Sequence, residues 1–92
     1  MHYKNMTFRF VCDDEVTVVP LKTIVSIKEL YAGMLSIATN DYVRYTINMD
    51  EKLSLCVMDM YDEWLWESDS SMRTAEFQVF SIIGRLNLDG DE

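Results

Sequence analysis

Apolar and polar residues alternate along the first half of the chain. Over residues 6–12, Met6, Phe8, Phe10 and Cys12 take one side, and Thr7, Arg9 and Val11 take the other. That is the period of a half-buried strand. Asp13-Asp14 interrupts it, and aspartate tolerates left-handed turn geometry. Residues 15–19 then predict a second strand that closes a hairpin. Pro20 ends this strand or keeps it at a sheet edge, because proline cannot donate to the ladder. The β-branched run at 23–30 predicts a third strand, with a helical turn near Pro20 as the alternative. Residues 34–39 and 42–48 predict two more strands around a two-residue loop, Asn40-Asp41. In the second of these, Val43, Tyr45 and Ile47 face one way, and Tyr42, Arg44 and Thr46 face the other.

At 48–67 the period changes. Leu53, Val57, Met60, Tyr61 and Trp64 recur at steps of three and four, which predicts an amphipathic helix with these residues buried. With Met58 and Leu65 at its margin, the apolar stripe spans roughly 160° of the wheel. Asn48 and Glu51 are spaced for a capping box, and Asp50 and Glu51 suit the positive end of the helix dipole. The opposite face carries Asp59, Asp62, Glu63 and Glu67, with Glu51 at its margin and Lys52 as the one base. Leu55 and Trp66 also project among the acids. Either the C-terminal segment folds over them, or they contact a second subunit or a partner.

Residues 68–72 read as a polar loop. Over 73–88, Ala75, Val79, Ile82, Ile83 and Leu86 fit a helix, whereas the density of Phe, Val and Ile fits a strand with Gly84 as a bulge. The strand is the reading taken. The fold class expected is α+β: an antiparallel meander of about five strands packed on one long amphipathic helix, with the C-terminal segment a further strand. Ninety-two residues make one domain, 1–92, with 1–5 and 89–92 expected to fray. Between residues 8 and 57 this order of elements resembles small flagellar-operon proteins, a likeness of periodicity that implies no activity.

Charge adds to the picture. The chain carries 16 acids against 8 Lys and Arg, a net charge of −8. Seven of those acids and one base fall between Asp50 and Asp69, so the imbalance is concentrated on the predicted helix. Such a balance argues against binding phosphate backbones or anionic membranes, and for a basic partner. No stretch reaches the ~18 apolar residues of a membrane span, and the opening residues do not form a signal peptide. With 49% hydrophobic residues, a core without disulfide or metal is feasible. Cys12 and Cys56 read as free, buried thiols in a reducing, cytoplasmic setting.

Candidate chemistry is sparse. The one histidine, His2, sits at the terminus, which excludes His-dependent triads. Gly33, Gly84 and Gly90 are too far apart for a phosphate loop. Asp59 with Asp62 or Glu63 gives too few ligands for a tight cation site. Asp13-Asp14-Glu15 reads as a turn, and Asp89-Gly90-Asp91-Glu92 lacks the frame of a calcium loop. Ser68, Ser70 and Ser71 read as loop residues, and the seven methionines as core filler. No catalytic residue, cofactor or metal is expected.

In size and concentrated acidity the chain resembles phage-encoded DNA mimics that block host restriction, defence or DNA-binding proteins. The resemblance implies a non-enzymatic inhibitor in the host cytoplasm. Its partner would be a basic nucleic-acid-binding protein, with no direct contact to nucleic acid or membrane. Glu51, Asp59, Asp62, Glu63 and Glu67 are the expected partner-binding face, and Leu55 and Trp66 the expected dimer or partner contacts. A plain protein-protein interaction or assembly module, using an apolar patch or a sheet edge, is the alternative.

Overall fold

The computed structural model describes residues 5–66 and 72–86. It is an α+β fold of two sheets and one helix. Strands β1 (Asn5–Cys12), β2 (Glu15–Pro20) and β6 (Met72–Gln78) form the first sheet, in the order β2-β1-β6. Strands β3 (Ile24–Tyr31), β4 (Met34–Thr39), β5 (Val43–Asn48) and β7 (Ser81–Leu86) form the second, in the order β3-β4-β5-β7. Helix α1 (Glu51–Trp66) connects them.

The β1–β2 hairpin turns at Asp13, whose φ of 53° is the left-handed geometry aspartate tolerates. Pro20 closes an edge strand, and a 3-10 turn, Leu21–Thr23, follows it. The Thr23 hydroxyl donates to the Pro20 carbonyl at 2.7 Å and fixes this corner. The expected meander is therefore broken at Pro20, and β3 starts a new sheet. A second correction concerns the C-terminal segment. It forms two strands, not one, and β6 runs parallel to β1. The change of sheet takes two residues: the Val79 N–H bonds Val11 of β1, and the Phe80 N–H bonds Asn48 of β5. Gly84 is not a bulge, because β5 and β7 pair in unbroken register. The irregularities lie in β3 instead. The β4–β5 loop takes in Tyr42, at φ 66°, so β5 starts at Val43.

The period-two faces meet as expected. Phe8 and Phe10 of β1 are fully buried and pack with Phe77 of β6, at ring centroid distances of 5.5–5.8 Å. From the other sheet Leu35, Ile37 and Ile47 close the core. The expected buried thiols are corrected: Cys12 is half-buried, its Sγ 3.3 Å from the Phe80 carbonyl, and Cys56 is exposed. Both are free.

The helix starts at Glu51, and Asp50 caps it. The Asp50 carboxylate accepts the Lys52 N–H at 3.1 Å, and its carbonyl accepts the Ser54 N–H at 3.0 Å. Asn48, the expected cap, is held in β5 and donates its amide to Ser81 at 3.1 Å. Burial along α1 also differs from expectation. Val57 and Ser54 are fully buried, whereas Leu53, Met60, Tyr61 and Trp64 are half-buried against the core. The helix meets the sheet chiefly at β3 and β4, so its later turns lie over the rim of the core. Trp64 stacks on Tyr61 at 5.8 Å. Trp64→Ala is therefore expected to cost about 2 kcal/mol, below the ~3–5 kcal/mol of a fully enclosed aromatic. Urea melts measure this, and a loss above that of Phe8→Ala would refute the packing described.

Candidate functional site

Helical spacing sets Glu51, Leu55, Asp59, Asp62 and Trp66 in one stripe, with Glu63 beside Asp59. All six are exposed, Leu55 by 52% and Trp66 by 83%. The stripe mixes two apolar side chains with three carboxylates. Glu67, the fifth acid expected on this face, lies outside the described residues. So do His2, Asp69, the serines at 68, 70 and 71, and the tail carboxylates.

The stripe is not arranged for helix stability. Asp59, Asp62 and Glu63 are like-charged neighbours at three- and four-residue steps, which repel. Asp62 and Glu63 stand near the negative end of the helix dipole, and the last turn holds no base. A helix selected for stability alone would carry lysine or arginine there. Among the described residues, no three histidine, cysteine, aspartate or glutamate side chains come together as a metal cluster.

A second feature depends on strand pairing and is invisible along the sequence. Leu35, Ile37, Tyr45, Ile47 and Ile82 turn one face of the β3-β4-β5-β7 sheet to the core. By register, Lys28, Ser36, Thr46 and Ile83 form a row across the other face, and Ser26, Ala38, Arg44 and Arg85 form the next row. Arg44 and Arg85 are direct cross-strand partners. The Arg44 guanidinium lies over the sheet and donates to the buried Ser36 hydroxyl at 2.9 Å. Among the described residues, these two rows contain three bases and no acid. In a chain of net charge −8, this face is locally basic.

The two charged surfaces lie on opposite sides of that sheet. Glu29 pairs with Leu35 on the core side. The Ser54 hydroxyl lies 3.2 Å from the Glu29 carboxylate and 2.8 Å from the Glu51 carbonyl. Helix α1 therefore lies on the core side, and the basic face points away from it. Sequence reasoning missed this face because its three bases are far apart in the chain. The alternation at Arg44 is the one local sign of it.

Two of the hollows among the described residues bear on these surfaces. The larger, of about 480 Å³, opens between β2 and β7 and is lined by Glu15, Val16, Thr17, Tyr45, Ile82 and Gly84. Gly84 admits the Tyr45 ring against the β7 backbone, since a Cβ there would meet it at 3.1 Å. With one carboxylate in the lining, this hollow has no acid-base pair. The smaller, of about 260 Å³, lies beside Arg44 and is walled by Val25, Ala38 and Tyr42.

Among the described residues, no helix is long and apolar enough to cross a membrane. No family model, curated protein or solved structure matches the chain. What fold and surface define is a class: a small α+β domain whose helix presents acids and bare apolar side chains together.

Proposed function

We propose that this protein is a non-enzymatic binding module that engages a basic protein partner through the exposed stripe of α1. The observation that carries this reading is the layout of Leu55, Asp59, Asp62, Glu63 and Trp66. Like charges are crowded toward the wrong end of the helix dipole, and two large apolar side chains stand exposed beside them. That arrangement costs helix stability and exposes anchors typical of interfaces. In the complex, the carboxylates steer and orient the partner, and Leu55 and Trp66 supply the desolvated contact.

Inhibition by nucleic-acid mimicry is the second reading, favoured by the concentration of acid on one element. A magnitude weighs against a single copy acting this way. The 16-residue helix is about 24 Å long, and duplex DNA of that length carries roughly 14 phosphates. The described helix carries four acids: Glu51, Asp59, Asp62 and Glu63.

Pull-downs with wild type, Asp59→Asn/Asp62→Asn/Glu63→Gln and Leu55→Ala/Trp66→Ala decide, at ~50 and ~300 mM salt. The module reading expects one basic protein to be lost by both variants, with binding weaker at the higher salt. Mimicry expects loss in the charge variant alone, and displacement of nucleic acid from the captured protein by wild type. A partner retained by both variants would refute the role of α1. Because these side chains are exposed, both variants should keep the fold, and the charge variant should melt slightly higher than wild type.

A further inference from the structure

We infer that the α1 stripe of one copy docks on the basic sheet face of a second copy, building a head-to-tail assembly. The inference rests on the reading of α1 as a binding surface and names one occupant for the face opposite it. Charge complementarity is the first argument. Asp59 and Asp62 lie on successive turns, roughly 5–6 Å apart. Arg44 and Arg85 are directly paired across strands with Cβ atoms about 5 Å apart, so the two aspartates and the two arginines project from positions of similar spacing. Lys28, in the neighbouring row on β3 and at least about 14 Å from Arg85, adds a third base to the same face.

The apolar side chains match as well. Leu55 and Trp66 flank the two aspartates and stand ~16 Å apart along the helix. On the sheet, the hollow beside Arg44 exposes Val25 by 65% and Tyr42 by 62%, a seat for an indole. Ile83, exposed by 51%, lies on the same face next to Arg85 and is a seat for Leu55. A chain of net charge −8 otherwise repels its own copies, so an orientation that sets acidic helix against basic sheet is strongly preferred. The complementary surfaces lie on opposite sides of the sheet. Their contact is thus heterologous and does not close into a two-fold dimer.

Charge swapping tests the contact by sedimentation. Lys28→Glu/Arg85→Glu and Asp59→Lys/Asp62→Lys alter exposed residues only and leave the Arg44–Ser36 bond in place. At about 100 μM protein and ~50 mM salt, wild type is expected to show a mean mass at least twice the 10.8 kDa monomer, rising with concentration and falling with salt. Each variant alone should sediment as a monomer, because the charge of its altered face no longer opposes that of the other face. An equimolar mixture should recover the heavier species. A monomeric wild type overturns the inference, as does a mixture that stays monomeric. Binding of an arginine-rich peptide, measured on Lys28→Glu/Arg85→Glu with and without Asp59→Lys/Asp62→Lys, separates the two levels. If the peptide binds equally well without the aspartates, the reading of α1 itself fails. If it needs them while wild type stays monomeric, self-docking alone fails.

Discussion

Gly33→Ala is expected to cost roughly 3 kcal/mol, the sum of a left-handed backbone penalty and a damaged backbone contact. Gly33 has φ 84° and sits in the β3–β4 turn. A Cβ at this position would stand 2.5 Å from the Met49 carbonyl oxygen, a backbone atom with no rotamer to change. The two segments are held together by the Met49 N–H, which donates to the Gly33 carbonyl at 2.7 Å. Relieving the clash pushes the turn away from the segment that leads into α1, and the loss should lower Tm by roughly 15 °C in a domain of this size. Gly84→Ala is the control. Its added Cβ meets side chains alone, the Tyr45 ring at 3.1 Å and Val43 at an ordinary 3.9 Å, and a side chain can shift. The expected cost there is about 1 kcal/mol. Urea melts of both variants settle the ranking, and a smaller loss at Gly33 than at Gly84 would refute it.

Phe8→Ala should remove about 3–5 kcal/mol, the cost of truncating a fully enclosed aromatic. Phe8 has no exposed surface and touches both Phe10 and Phe77. It therefore joins β1 to the parallel strand β6, which returns from beyond the helix. A domain of 92 residues has ~5–14 kcal/mol of total stability, so this one change can remove a large share of it. Phe80→Ala, at a position 72% exposed, should change stability by less than ~0.5 kcal/mol. Denaturant melts of the pair test whether burial or residue type governs the loss. Equal losses would contradict the core described.

The α1 stripe is legible in the sequence, since helical spacing alone places Leu55, Asp59, Asp62 and Trp66 together. Their exposure is not. Whether a later segment covers Leu55 and Trp66 depends on where β6 and β7 go, and those strands join the two sheets away from them. The half-burial of Trp64, where full burial was expected, is likewise decided by the fold, through the helix's seat on β3 and β4. Periodicity shows which side of a helix faces the protein, but not how far the underlying sheet extends beneath it.

Local chemistry determined most of the elements. Phe8 and Phe10 turn inward because a strand has period two. Asp13 turns the chain, Pro20 ends a strand at an edge, and residues 51–66 coil because apolar positions recur at helical steps. What the tertiary structure alone decided was who lies beside whom. Nothing local to residues 72–86 indicates that the chain changes sheets at Val79 and Phe80, that β6 runs parallel to β1, or that β7 sets Arg85 opposite Arg44. The period of a strand selects the face each side chain takes. Its neighbour is selected by the burial of the whole core, a sum over distant segments. The acidic helix is thus a property of sequence, and the basic face across the sheet from it is a property of the fold.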